Sequence, residues 1–226
     1  MLKTVLGIAF AALVAWHLLR RLMRSRQETA DRQARLFDGV ADLLDSPVFE
    51  RLPAPDHPIL KGSFRGLPVQ LRPVVDTLAI RKLPSLWLQV TMPVPLDVRA
   101  TFNFMMRPAG PTTFSNFDHL PHIVNSPAGL PRDGLLRSDD PGKLPPADAL
   151  SPTFGLFDNP RMKELLVSRK GIRMVIQIAE ADRARYGVFR QAAFGDVGMN
   201  PELLREVMSA MASVVAGLRQ GNEVLT

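Results

Sequence analysis

The chain has 226 residues, 46% of them apolar, a formal charge of +6 and no cysteine. That length and composition suit one packed domain plus an appendage, and the missing cysteine excludes disulfides, thiolate metal sites and cysteine nucleophiles. The charge is unevenly placed: residues 1–35 hold seven basic and two acidic side chains, so the other 191 carry only +1. A nearly neutral body has no footprint for a phosphate backbone, and no nucleic-acid partner is expected.

From Thr4 to Leu19 the chain reads TVLGIAFAALVAWHLL, bounded by Lys3 and Arg20. With Met1 to Lys3 included and the flanking basic side chains snorkelling, a helix here reaches about 28 Å, close to the hydrocarbon thickness. Cleavage as a signal peptide fits badly, because the pairs Phe10/Ala12 and Leu13/Ala15 offer poor small-residue sites and arginines follow directly. Residues 1–22 are therefore expected to form a transmembrane anchor, with Trp16, His17, Arg20, Arg21, Arg24 and Arg26 at the membrane interface. The arginines outweigh Lys3 and the amino terminus, which predicts a single-pass inner-membrane protein with its soluble domain in the cytoplasm. Gly7, Ala11 and Ala15 recur every four residues, a smooth stripe suited to packing against a partner helix or a second copy.

Residues 23–46 read as a helical juxtamembrane stalk, with Leu36, Phe37, Val40, Leu43 and Leu44 on one face and Ser46-Pro47 as its stop. Residues 47–226 are expected to form a soluble α+β domain. Extended runs follow at LKGSFR, LPVQLR, LWLQVTM and PLDVRATFNFMM, with period-two alternation clearest in the last two. Residues 107–157 contain nine prolines and no sustained period, which predicts a long Pro-rich loop. Asn159-Pro160 then opens RMKELLVSRK as a helix ended by Gly171, IRMVIQI and YGVFRQAAF read as strands, and Asn200-Pro201 starts a final helix. Leu204, Val207, Met208, Met211, Val214, Val215 and Leu218 form that helix's core stripe. The expected fold is thus α+β: an N-terminal transmembrane helix and stalk, then an antiparallel sheet of about six strands with two covering helices.

Chemistry-bearing residues cluster poorly. Ser115, Asn116, Asp118, His119 and His122 lie close in sequence, and with His57 they supply zinc-ligand types. Pro121 keeps the two loop histidines off one helix face, and no metal spacing is matched, so turn-capping residues are the simpler reading. Neither a Gly-x-Ser-x-Gly turn nor a phosphate loop occurs. No catalytic, cofactor-binding or metal site is expected. The leading expectation is a non-enzymatic accessory protein that docks on a membrane complex, in contact with membrane lipid and held to a protein partner or a second copy through the anchor. The alternative is a tethered lipid or apolar-ligand binding domain, with Met92, Phe102, Phe104, Met208 and Met211 lining its cavity.

Overall fold

The computed structural model describes residues 13–21, 23, 35–50, 52, 57–78, 83–189, 192, 194–195 and 197–223. The chain divides into two compact units, Met1–Leu36 and Phe37–Thr226. In the first, residues 13–21 are helical and exposed throughout. Trp16, His17, Arg20, Arg21 and Ala15 lie on this helix, whereas Gly7, Ala11, Arg24 and Arg26 fall outside the described residues. Among the described residues no helix is long and apolar enough to cross a membrane.

The second unit is α+β, built on one antiparallel sheet. Its strands are β1 (Asp45–Glu50), β2 (Ile59–Phe64), β3 (Leu67–Asp76), β4 (Ser85–Met92), β5 (Phe102–Met106), β6 (His122–Val124), β7 (Gly134–Ser138), β8 (Met162–Ser168) and β9 (Gly171–Glu180). They lie in the order β1-β2-β3-β4-β9-β8-β5-β7-β6. The β8–β9 hairpin thus inserts between β4 and β5, which are consecutive in sequence. Helices are α1 (Ala147–Leu150), α2 (Arg183–Phe189) and α3 (Pro201–Glu223).

The sheet holds nine strands where about six were expected, and several local expectations fail. RMKELLVSRK is a central strand, not a helix: Asn159 Oδ1 accepts from Arg161 N at 3.0 Å, an Asx turn that feeds a strand as readily as a helix. Gly171 sits at φ +131° opposite Ser168 in the β8–β9 hairpin, so it is a turn residue and not a helix stop. YGVFRQAAF begins inside α2, not in a strand. The stretch over 107–157 supplies β6, β7 and α1, pieces too short and too broken by proline to show a period. The stalk reading ends early: residues 37–46 belong with the domain, and Ser46-Pro47 lies in β1 at a bulge, where Ser46 takes φ 51°.

The expected strand at 95–106 is half right. Val94, Leu96, Val98 and Ala100 are buried while Pro95, Asp97 and Arg99 are exposed, yet ladder pairing starts only at Phe102. The segment must cross the tip of the inserted hairpin. There Leu96 N donates to Arg169 O at 3.2 Å, and Arg169 Nε donates to Val98 O at 3.2 Å.

One sheet face is fully covered. Leu60, Leu71, Val90, Met174, Leu165, Phe104 and Leu136 are cross-strand neighbours in one row from β2 to β7, and every one is buried. Helix α3 packs against β9, α1 and the 3-10 segment Ser151–Asp158. Its start is as expected, with Asn200 Oδ1 accepting from Glu202 N and Leu203 N and with Pro201 at the first helical position. The stripe from Leu204 to Leu218 is buried, and each large apolar side chain contributes about 1.5–3 kcal/mol by leaving water.

Candidate functional site on the half-covered sheet face

Alternation puts a second set of residues on the opposite face. One row there runs Gln70, Thr91, Arg173, Leu166, Asn103, Arg137, Ile123 from β3 to β6; the next runs Arg72, Gln89, Val175, Glu164, Met105, Leu135. Among the described residues of this unit, the long helix α3 packs on the other face. A flap from the connection after β5, residues 107–121, lies over part of it.

The flap is pinned by an apolar cluster and by polar contacts. Phe114 and Phe117 bury themselves with Met105 and Val175, against Val74, Trp87 and Leu135. The Trp87 and Phe114 rings are tilted at 4.9 Å between centroids. Gln89 Nε2 donates to Phe114 O at 2.7 Å, and Thr113 Oγ1 donates to Val75 O at 3.2 Å. The Ser115 hydroxyl donates to Glu164 Oε1 and itself accepts from Phe117 N at 3.1 Å.

Glu164 is the centre of the arrangement. It is 0% exposed, and its second oxygen accepts from Arg173 Nη2 at 3.0 Å. A carboxylate out of water needs this pairing, because an isolated buried charge costs several kcal/mol. Lys163, next in sequence, crosses the edge of the cluster: its Nζ donates to Met106 O at 2.6 Å and stands 6.0 Å from the Trp87 ring. Arg137 donates through Nη1 to Leu120 O at 2.8 Å and lies 5.4 Å from the Phe117 ring.

Several buried polar atoms under or beside the flap have no protein partner among the described residues: Trp87 Nε1, Asn103 Oδ1, Arg137 Nε and Arg173 Nε. Most buried polar atoms are paired with protein or ordered water, so these four are the polar groups of this face still open to a water or a ligand. Asn103 is 2% exposed and is the direct cross-strand neighbour of Arg137.

The residues singled out from the sequence are distributed differently. Of the loop cluster, Ser115 turns inward to Glu164, while Asn116, Asp118, His119 and His122 are exposed. No group of three or more potential metal ligands converges among the described residues. Met92, Phe102, Phe104, Met208 and Met211 are each at most 2% exposed. The packing around Phe104 is close, with its ring edge-on to Phe157 at 5.0 Å. Sequence reasoning missed Glu164, Arg173 and Arg137. The available signal was the lone acid in MKELLVS, a polar residue inside an apolar run.

Fold and site together define an α+β domain with one helix-covered face and one polar, flap-bordered face. No protein-family model, no curated protein and no solved structure matches the chain.

Proposed function

We propose that the chain is a single-pass, membrane-anchored accessory protein, non-enzymatic, whose cytoplasmic domain docks on a complex of the inner membrane. The observation that carries this reading is the uncovered apolar helix over 13–21. Leu13, Trp16, Leu18 and Leu19 are each at least 58% exposed, and Arg20 stands 5.1 Å from the Trp16 ring. Apolar side chains all round a helix favour lipid or a partner helix over water. The aromatic-basic pair at its end matches a headgroup boundary. Lipid is the first partner, and Gly7, Ala11 and Ala15 supply a stripe for a protein partner or a second copy.

The domain suits docking through a face, not through strand addition. Its edge strand β1 carries Pro47 and a bulge, and the opposite edge strand β6 is three residues long and follows Pro121. These features block further pairing. The half-covered face, with Arg72 exposed and Gln70, Thr91 and Leu166 half-buried, is the surface left to a partner.

Alkaline carbonate extraction of membranes tests the anchor. The full chain is expected in the pellet, and a chain lacking residues 1–22 in the supernatant; release of the full chain by carbonate overturns the reading. Native mass spectrometry after mild detergent extraction tests the docking, where a purely monomeric chain counts against it.

A further inference from the structure

We infer that the half-covered face holds a binding site for a small organic carboxylate that carries an N–H or O–H donor beside its acid group, centred on Arg137 and Asn103.

The argument begins with charge. Arg173 and Glu164 neutralise each other at 3.0 Å. Among the described residues no acidic side chain forms a salt bridge with Arg137. Its positive charge is half-buried beneath Phe117, where screening by water is reduced and a bound anion is held more strongly. The guanidinium spends Nη1 on Leu120 O and leaves Nε–H unclaimed, which is one prong of the side-on fork that fits a carboxylate.

Asn103 supplies the second requirement. Its Cβ is about 5 Å from that of Arg137, the usual separation of directly opposed residues in an antiparallel pair. Asn103 Oδ1 is buried and unpartnered, so it asks for a hydrogen-bond donor. An acid with a donor on the adjacent carbon satisfies both groups at once: the carboxylate meets Arg137 Nε, and the neighbouring N–H or O–H meets Asn103 Oδ1. A simple anion satisfies only the first. Inorganic phosphate keeps a P–OH donor at neutral pH, but its tetrahedral oxygens lack the planar carboxylate edge that the arginine fork fits, which makes it the poorer match. The register neighbours on either side are open to solvent in part: Ile123 beside Arg137 is 61% exposed, and Leu166 beside Asn103 is half-buried.

The test uses the full chain in detergent and follows the arginine Nε–H resonances by nuclear magnetic resonance. The Arg137 signal is identified by its loss in R137K. Titration with N-acetylglycine or glycolate is expected to move that signal saturably, in roughly the millimolar range for ligands of this size. Acetate is expected to bind about ten-fold more weakly, the worth of one hydrogen bond. N103L should bring N-acetylglycine down to the acetate level, and R137K should weaken binding about ten-fold. Equal binding of acetate and N-acetylglycine by the native chain, no saturable response, or tighter binding of inorganic phosphate overturns the assignment. Once that signal is identified, the ligand comparisons are made on the native chain, so they stand even where N103L fails to fold.

Discussion

The fully buried carboxylate of Glu164 accepts a hydrogen bond from Arg173 Nη2 at 3.0 Å, diagonally across the β8–β9 pair, Arg173 standing two residues before Val175, the register partner of Glu164. Arg173 is 21% exposed at its side chain, so the charge pair sits at the border between flap and open face. Its partners make Glu164 a polar rivet: strand β8 below, Ser115 of the flap above, Arg173 beside it.

Removing one partner of such a pair leaves the other charge uncompensated. E164A is expected to lower the unfolding free energy of the full chain by about 2–4 kcal/mol, at the low end if Arg173 rotates into water. E164L/R173M, which removes both charges, should recover most of that loss. Urea unfolding of both variants provides the check, and a double variant no more stable than E164A would show that the pair does more than neutralise itself.

Ser115 links the same carboxylate to the flap, so its loss should act locally. S115A is expected to cost about 1 kcal/mol globally. It should also expose Phe114 and Phe117, at most 2% exposed in the intact domain, to chymotrypsin several-fold faster than in the native chain. Unchanged cleavage at these two sites would mean that the Trp87–Phe114 contact and the apolar cluster suffice to hold the flap.

The pair also shows which parts of this molecule were legible in the sequence. Helix α3 announced itself through a local capping signal and an unbroken apolar stripe, and β4 through alternation over eight residues. Strand β8 did not, because Asn159-Pro160 starts a helix or a turn equally well, and pairing on both sides overrode local propensity. Ser115 was visible only as one member of a polar loop. Its real partner stands 49 residues away, and Arg173 stands nine beyond that partner. The alternation in PLDVRATFNFMM puts Asn103 on the polar side of its strand, yet that side is buried there. Nothing in the strand itself reports that Phe114, 11 residues downstream, will fold back onto the same face beside Met105.

Gly134 and Phe104 give a packing prediction. A Cβ added at Gly134 would clash with the ring of Phe104, which is 0% exposed. The ring cannot swing away without disturbing its edge-on contact with Phe157. G134A is therefore expected to cost about 1–3 kcal/mol by overpacking. Combining it with F104L, which withdraws the ring, should give a less than additive loss. Additive losses in a thermal or denaturant unfolding cycle would indicate that β7 shifts instead of the ring being displaced.

Asp139 provides the pH dependence. Burial raises the pKa of its carboxyl, but the hydrogen bonds it accepts together outweigh this: the Thr101 backbone N–H donates at 2.6 Å and the Thr101 hydroxyl at 2.9 Å, joined by the amides of residues 139 and 140. The net result holds the group below its ordinary value of 3.8. A carboxyl lowered on folding contributes stability that is fully present above its unfolded value and is lost as pH falls through the folded one. At neutral pH D139N should be less stable than the native chain by about 0.5–1 kcal/mol, a figure reduced for solvent exposure. The gap should stay constant down to the ordinary carboxylate range and then close with further acidification. Because T101V removes the Thr101 hydroxyl and keeps its backbone N–H, it should show only part of the neutral-pH loss and leave most of the acid-dependent fall in place. A D139N gap that persists unchanged in acid would assign the effect to shape and not to charge.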